Sequence, residues 1–109
     1  MSWYNASWSY RFKVTVLASK VNADLTNYPV YFDLSNAPAG FHTHCNQTDA
    51  RDIRVTKSDG TTELPREVVF YDSANDKGEL HFKGDVDSDT NTDFYIYYGN
   101  SSATEPAKD

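Results

Sequence analysis

The sequence predicts an all-β fold, an antiparallel β-sandwich of jelly-roll-like type with about seven to eight short strands and at most one short helix. Three observations point there. Short segments alternate apolar and polar residues with a period of two, as strands with one buried and one wet face do. Turn-forming clusters of Gly, Asn, Asp and Ser separate these segments at regular intervals. No stretch carries a 3.6-residue period long enough to cover a sheet with a helix.

The first strand is the cleanest. Trp8, Tyr10, Phe12, Val14 and Val16 alternate with Ser9, Arg11, Lys13 and Thr15. Asn22 to Asn27 supplies turn chemistry, within which Asp24 to Thr26 is able to form a short helical turn. Tyr28, Val30, Phe32 and Leu34 form the second alternating set, and Pro29 near its start indicates a strand beginning or a sheet edge, where no amide donor is needed. Ser35 to Arg51 has no period; its one large apolar residue, Phe41, is expected to plug one end of the core from a loop.

Asp52 to Thr56 reads as a strand with Ile53 and Val55 inward, and Ser58-Asp59-Gly60 as a tight turn leading to the returning arm Thr61 to Leu64. Glu67 to Tyr71 is apolar on both parities, the pattern of a central strand covered on both sides. Glu79 to Lys83 alternates through Leu80 and Phe82. An acidic loop, Asp85 to Asp93, precedes the last strand, where Phe94, Ile96 and Tyr98 oppose Tyr95 and Tyr97.

The chain's 109 residues fit one domain, expected over residues 1–100, with 101–109 as a polar tail or linker. Hydrophobic residues are only 39% of the chain, but aromatics reach 15%, so large rings are expected to fill the core. The net charge of −6, without a Lys/Arg cluster, disfavours nucleic acid and anionic membranes as partners. A single cysteine, Cys45, precludes an intrachain disulfide. The opening residues show neither the basic nor the apolar region of a secretory signal, and no apolar run suffices for membrane insertion.

Several segments together carry a family likeness: the Trp8 strand, Tyr28-Pro29-Val30, the run from Asp52 to Val68, and Phe94 to Thr104 with its Tyr-Tyr-Gly-Asn. They resemble a bacterial and phage domain of unknown function found beside concanavalin A-like (laminin-G-like) lectin domains and in some proton-channel-like envelope proteins. The resemblance implies a module without catalytic residues in a large extracellular, envelope or virion protein. Members usually continue past Tyr-Tyr-Gly-Asn into a lectin-like domain and often carry secretion signals. This chain departs on both counts, which fits an excised fragment or a virion protein released by lysis, and the virion is the expected location.

Candidate chemistry is sparse. Asp85, Asp87 and Asp89 begin a run with an oxygen ligand at every second position, a weak calcium candidate. Helix-loop-helix calcium loops need Gly at position six and Glu at position twelve, where this chain has Thr90 and Ile96. A solvated acidic turn explains the same residues, so no cofactor is expected. His42, His44, Cys45 and His81 lack the paired spacing of structural zinc sites, and no orienting group near Cys45 marks a nucleophile. Glu63, Glu67, Asp72 and Glu79 could supply a glycosidase acid/base pair only if folding set two of them across a cleft. Arg54 and Glu67 more simply form a structural ion pair on neighbouring strands. Asn5, Asn46 and Asn100 begin glycosylation-type triplets that read as chance matches.

Tyr31, Tyr71, Tyr95 and Tyr97 are expected to point away from the core and to form the ligand or partner contact. Such rings equally stabilise a sheet by cross-strand pairing. The expected function is a non-catalytic module of a phage particle, a capsid decoration or tail-associated domain that touches other virion proteins. Repetition on a virion supplies avidity for weak contacts, and a homo-oligomer is compatible with it. The alternative is a carbohydrate-binding module beside a lectin or hydrolase domain, extracellular or at the cell surface, whose partner is a host-surface glycan.

Overall fold

The computed structural model describes residues 3–38, 40–41, 51–72, 75, 77–100 and 102–103. Seven strands appear among them: β1 (Tyr10–Val16), β2 (Leu25–Asp33), β3 (Arg54–Lys57), β4 (Glu63–Leu64), β5 (Arg66–Asp72), β6 (Lys77–Val86) and β7 (Thr92–Tyr98). They make two antiparallel sheets, one of four strands in the order β1-β7-β3-β4 and one of three in the order β2-β6-β5. The fold is the predicted β-sandwich. Short 3-10 turns occupy Ala18–Lys20 and Leu34–Asn36, while Asp24 to Thr26, read as a candidate helical turn, instead enters β2.

Alternation explains which side chains meet between the sheets. Val30, Leu80, Phe82 and Val86 from the three-stranded sheet face Val55, Leu64, Phe94, Ile96 and Tyr98 from the four-stranded one. Rings dominate the contact: Phe82 meets Phe94 edge-on at 5.1 Å, and Phe41 closes one end against Tyr98 at 4.6 Å and Phe12 at 5.7 Å. Phe41 thus plugs the core as its isolation in a polar loop implied. Edge-to-face pairs of this kind add about 0.5–1.5 kcal/mol beyond the area they bury.

Local chemistry sets the strand ends. Pro29 lies on β2, an edge strand bonded only to β6, where its missing N–H costs no ladder bond. Asn27, with φ of 52°, sits at a register shift between Leu25 and Tyr28. The β3–β4 hairpin turns at Gly60, whose φ of 78° suits glycine, and Lys57 and Thr62 close it. Asp59 accepts from the Thr61 and Thr62 amides and the Thr62 hydroxyl, which drives its carboxyl from 3.8 to about 2.

The structure corrects three sequence readings of the elements. Trp8 precedes β1 and turns to the far side of the four-stranded sheet, away from the alternating set it seemed to begin. The strand containing Glu67 to Tyr71 is an edge, β5, and not a central strand. Its double-sided apolarity comes from a bulge between Val68 and Phe70, which inserts Val69 and leaves Val69 and Phe70 exposed. Ala103, assigned to the tail, packs with Trp8 and Tyr97, while residues 104–109 lie outside the described ones.

Candidate functional site: two outer sheet faces

The outer face of the four-stranded sheet is built from Arg11, Tyr95, Tyr97 and Arg54, whose register places them side by side on β1, β7 and β3. The chain's own N-terminal segment lies over them. Trp3 meets the Tyr97 ring edge-on at 5.0 Å, and Tyr4 meets Tyr97 at 5.5 Å and Trp8 at 5.2 Å. The Tyr97 hydroxyl accepts from the Tyr4 amide and the Arg11 guanidinium and donates to the Gly60 carbonyl. Tyr97 is 0% exposed, so it stabilises the fold and offers nothing to a partner, contrary to expectation.

Tyr95 fares little better as a contact. The Arg11 guanidinium lies 4.4 Å from its ring centre and 4.7 Å from that of Trp3, so cation–π stacking occupies a ring face that a sugar or partner would need. Arg54 is buried beneath Trp8 at 5.0 Å and lies 3.7 Å from Glu63, not against Glu67 as the strand order had suggested. The Tyr4 hydroxyl donates to Glu63 at 2.8 Å. Burial, and then this bond to a carboxylate, raise the Tyr4 pKa.

At one end of this face, Asp52 is completely buried and its carboxylate accepts the amides of Gly99 and Asn100 at 2.9 and 3.2 Å. The Trp8 indole donates to the Asp52 carbonyl. Gly99 has φ of 89°, a backbone state that favours glycine. The Asp-Ile-Arg and Tyr-Tyr-Gly-Asn segments that carry the family likeness are therefore bonded to each other. Asn5 and Asn100 each accept the amide two residues on, so both glycosylation-type triplets are Asx turns, and Asn46 is not among the described residues.

The outer face of the three-stranded sheet is different: side chains project from it uncovered by any described residue. Tyr31 on β2 is 54% exposed, and across the register it meets His81 on β6, ring to ring at 5.1 Å, with Glu67 of β5 beyond. The adjoining row runs Asp33, Glu79, Phe70, and Phe70 is 50% exposed. His81 bonds Glu79 at 2.7 Å between the two exposed rings. Desolvation, and then the charges of Asp33 and Glu79, raise the Tyr31 pKa.

Tyr71 was expected on this face and is not there. The bulge at Val69 shifts parity by one residue, so Tyr71 turns inward onto Phe41 at 6.4 Å, and Phe70 takes the outward place. Of the four sequence-selected tyrosines, only Tyr31 presents a largely exposed ring. Phe70 and Val69 were missed because strict alternation assigns each residue's face without allowing for an inserted one.

The four candidate carboxylates divide unequally between the sheets. Only Glu63 stands apart, on the outer face of one sheet, whereas Glu67, Asp72 and Glu79 share that of the other. A groove of about 280 Å³ beside Tyr31 is lined, among the described residues, by Pro29, Pro65, Arg66, Glu67, His81, Phe82 and Lys83, of which Glu67 alone is a carboxylate. Carboxylate oxygens of Asp87 and Asp89 in the acidic loop and of Asp24, just before β2, lie within 4.8 Å of one another, whereas Asp85 accepts from the Asn27 amide. Asp24 accepts from the Ser88 amide and hydroxyl, which lower its pKa, and Asp87 accepts from the Asp89 amide. These bonds close the loop on β2. His42, His44 and Cys45 lie outside the described residues.

A family model described as "Domain of unknown function (DUF2341)" matches residues 49–109 of the chain. No curated protein matches. No solved structure matches either.

Proposed function

This chain belongs to the DUF2341 family, and we propose that it is a non-catalytic structural or attachment module of a phage virion, a capsid decoration or tail-associated protein. It acts through the outer face of its three-stranded sheet. The observation that carries this reading is the placement of Tyr31, Val69 and Phe70, each at least half exposed, on the uncovered face and bulge of one sheet. Exposed apolar side chains grouped beside polar ones mark interaction surfaces. A rigid sheet presents them without an ordering cost, and a particle that repeats the module makes weak individual contacts sufficient.

Immunogold labelling of particles from the source culture tests the setting. Label on purified particles supports it. Label confined to the cell envelope or to material that does not sediment with particles overturns it. Particles carrying Tyr31→Ala together with Phe70→Ser should lose label, because neither substitution touches the core.

A carbohydrate-binding role keeps one specific support, the Tyr31 ring beside the His81–Glu79 pair, since an exposed ring next to hydrogen-bonding groups suits a sugar face. Tyr95 and Tyr97 no longer contribute to it.

A further inference from the structure

Charge distinguishes this face from an ordinary apolar patch. The two rows that carry the exposed rings are Tyr31–His81–Glu67 and Asp33–Glu79–Phe70. They hold three carboxylates and no lysine or arginine. Lys77 lies opposite Asp72 one row further out, and Lys83 lies opposite Pro29 on the other side. Glu79 is held against His81 and Asp33 against Ser35, so these carboxylates are fixed in place, while Glu67 stands exposed at the sheet edge.

Resting on the contact role proposed above, we infer that this face receives a cationic segment of a partner polypeptide, whose arginine or lysine side chains lie across Tyr31 and Phe70 and reach Glu67, Glu79 and Asp33. Complementarity of charge argues for that occupant. A cation gains from both the π-face of an exposed ring and the carboxylates around it. An acidic segment would face three like charges, and a neutral sugar, though able to hydrogen-bond the carboxylates, would leave their charge unneutralised. Guanidinium groups suit the site in shape as well, being flat enough to stack and forked enough to bond a carboxylate. The net charge of −6 adds long-range attraction for a basic partner.

Titration of the isotope-labelled chain with three probes, followed by amide chemical shifts, decides the matter. The probes are a capped peptide alternating Gly and Arg, the same peptide with Glu in place of Arg, and maltohexaose. The arginine peptide should shift the amides of Tyr31, Glu67, Phe70, Glu79 and His81. It should bind about fivefold more weakly to the double variant Glu67→Gln, Glu79→Gln, the scale expected when two solvent-exposed ion pairs are removed. It should also weaken as salt rises from about 0.05 to 0.5 M. Unchanged thermal melting of the double variant shows that the fold is intact.

Equal binding of the glutamate peptide, shifts on another face, or no shift with millimolar arginine peptide each overturn the inference. Maltohexaose binding on this face without the arginine peptide overturns it as well and makes the occupant a glycan. Particle labelling decides the broader contact role separately. Labelled particles together with a failed titration remove the cationic partner and leave the module's role standing.

Discussion

Asp52 shows how much a single side chain can hold. Its buried carboxylate satisfies two backbone amides at the end of β7, and its carbonyl accepts from Trp8, so it ties β3, β7 and the N-terminal segment together. Replacing it with alanine leaves two amides without acceptors. Asp52→Ala should therefore cost about 2–4 kcal/mol of stability in urea unfolding, whereas Tyr31→Ala should change it by less than about 0.5 kcal/mol. Near-equal losses would contradict the assignment of one residue to architecture and the other to contact. Alternation alone assigned Ile53 and Val55 to the core correctly, because side-chain direction follows directly from strand parity. It could not show Asp52 as buried, since an aspartate holds that place only through amides distant in sequence.

Among the strands, β6 comes close to the opposite sheet at a glycine. Gly84 faces inward, and a Cβ there would lie 2.5 Å from the Phe94 ring of the opposite sheet. Gly84→Ala should displace Phe94 and cost about 1–3 kcal/mol by overpacking, measured in the same unfolding experiment. A variant as stable as the parent would mean that the sheets sit further apart than described. The strands were legible from their period, and the β3–β4 turn from Ser58-Asp59-Gly60. The β5 bulge was not, because nothing in Glu-Val-Val-Phe-Tyr distinguishes a strand covered on both faces from one that slips a residue. That slip exchanged Tyr71 for Phe70 on the outer face and with it half of the candidate site.

Across the molecule as a whole, polar loops are closed by aspartates whose carboxyls bond nearby amides and hydroxyls. Asp24, Asp33 and Asp59 all have pKa values below the unfolded value of 3.8, with Asp59 at about 2. A carboxyl depressed by folding stabilises the native state above its unfolded pKa and loses that contribution as pH falls through its folded value. Stability should therefore hold from neutral pH down to about 4 and then decline toward pH 2. A melting temperature that instead rises as the chain is acidified over that interval would contradict the loop bonding. The same tertiary view explains the asymmetry of the two outer faces. No strand pattern shows that Trp3, Tyr4 and Trp8 fold back over Tyr97, since that contact joins the two ends of the chain.

That asymmetry, one sheet face covered by the chain's own N-terminal segment and the other left open by every described residue, underlies both the contact role and the cationic partner. Photochemically induced nuclear polarisation enhances only solvent-accessible tyrosine rings and so reads it without intermediaries, with Tyr→Phe variants assigning the signals. Strong enhancement is expected for Tyr31 and none for Tyr97. An enhanced Tyr97 or a silent Tyr31 would mean that the covered and open faces have been wrongly assigned.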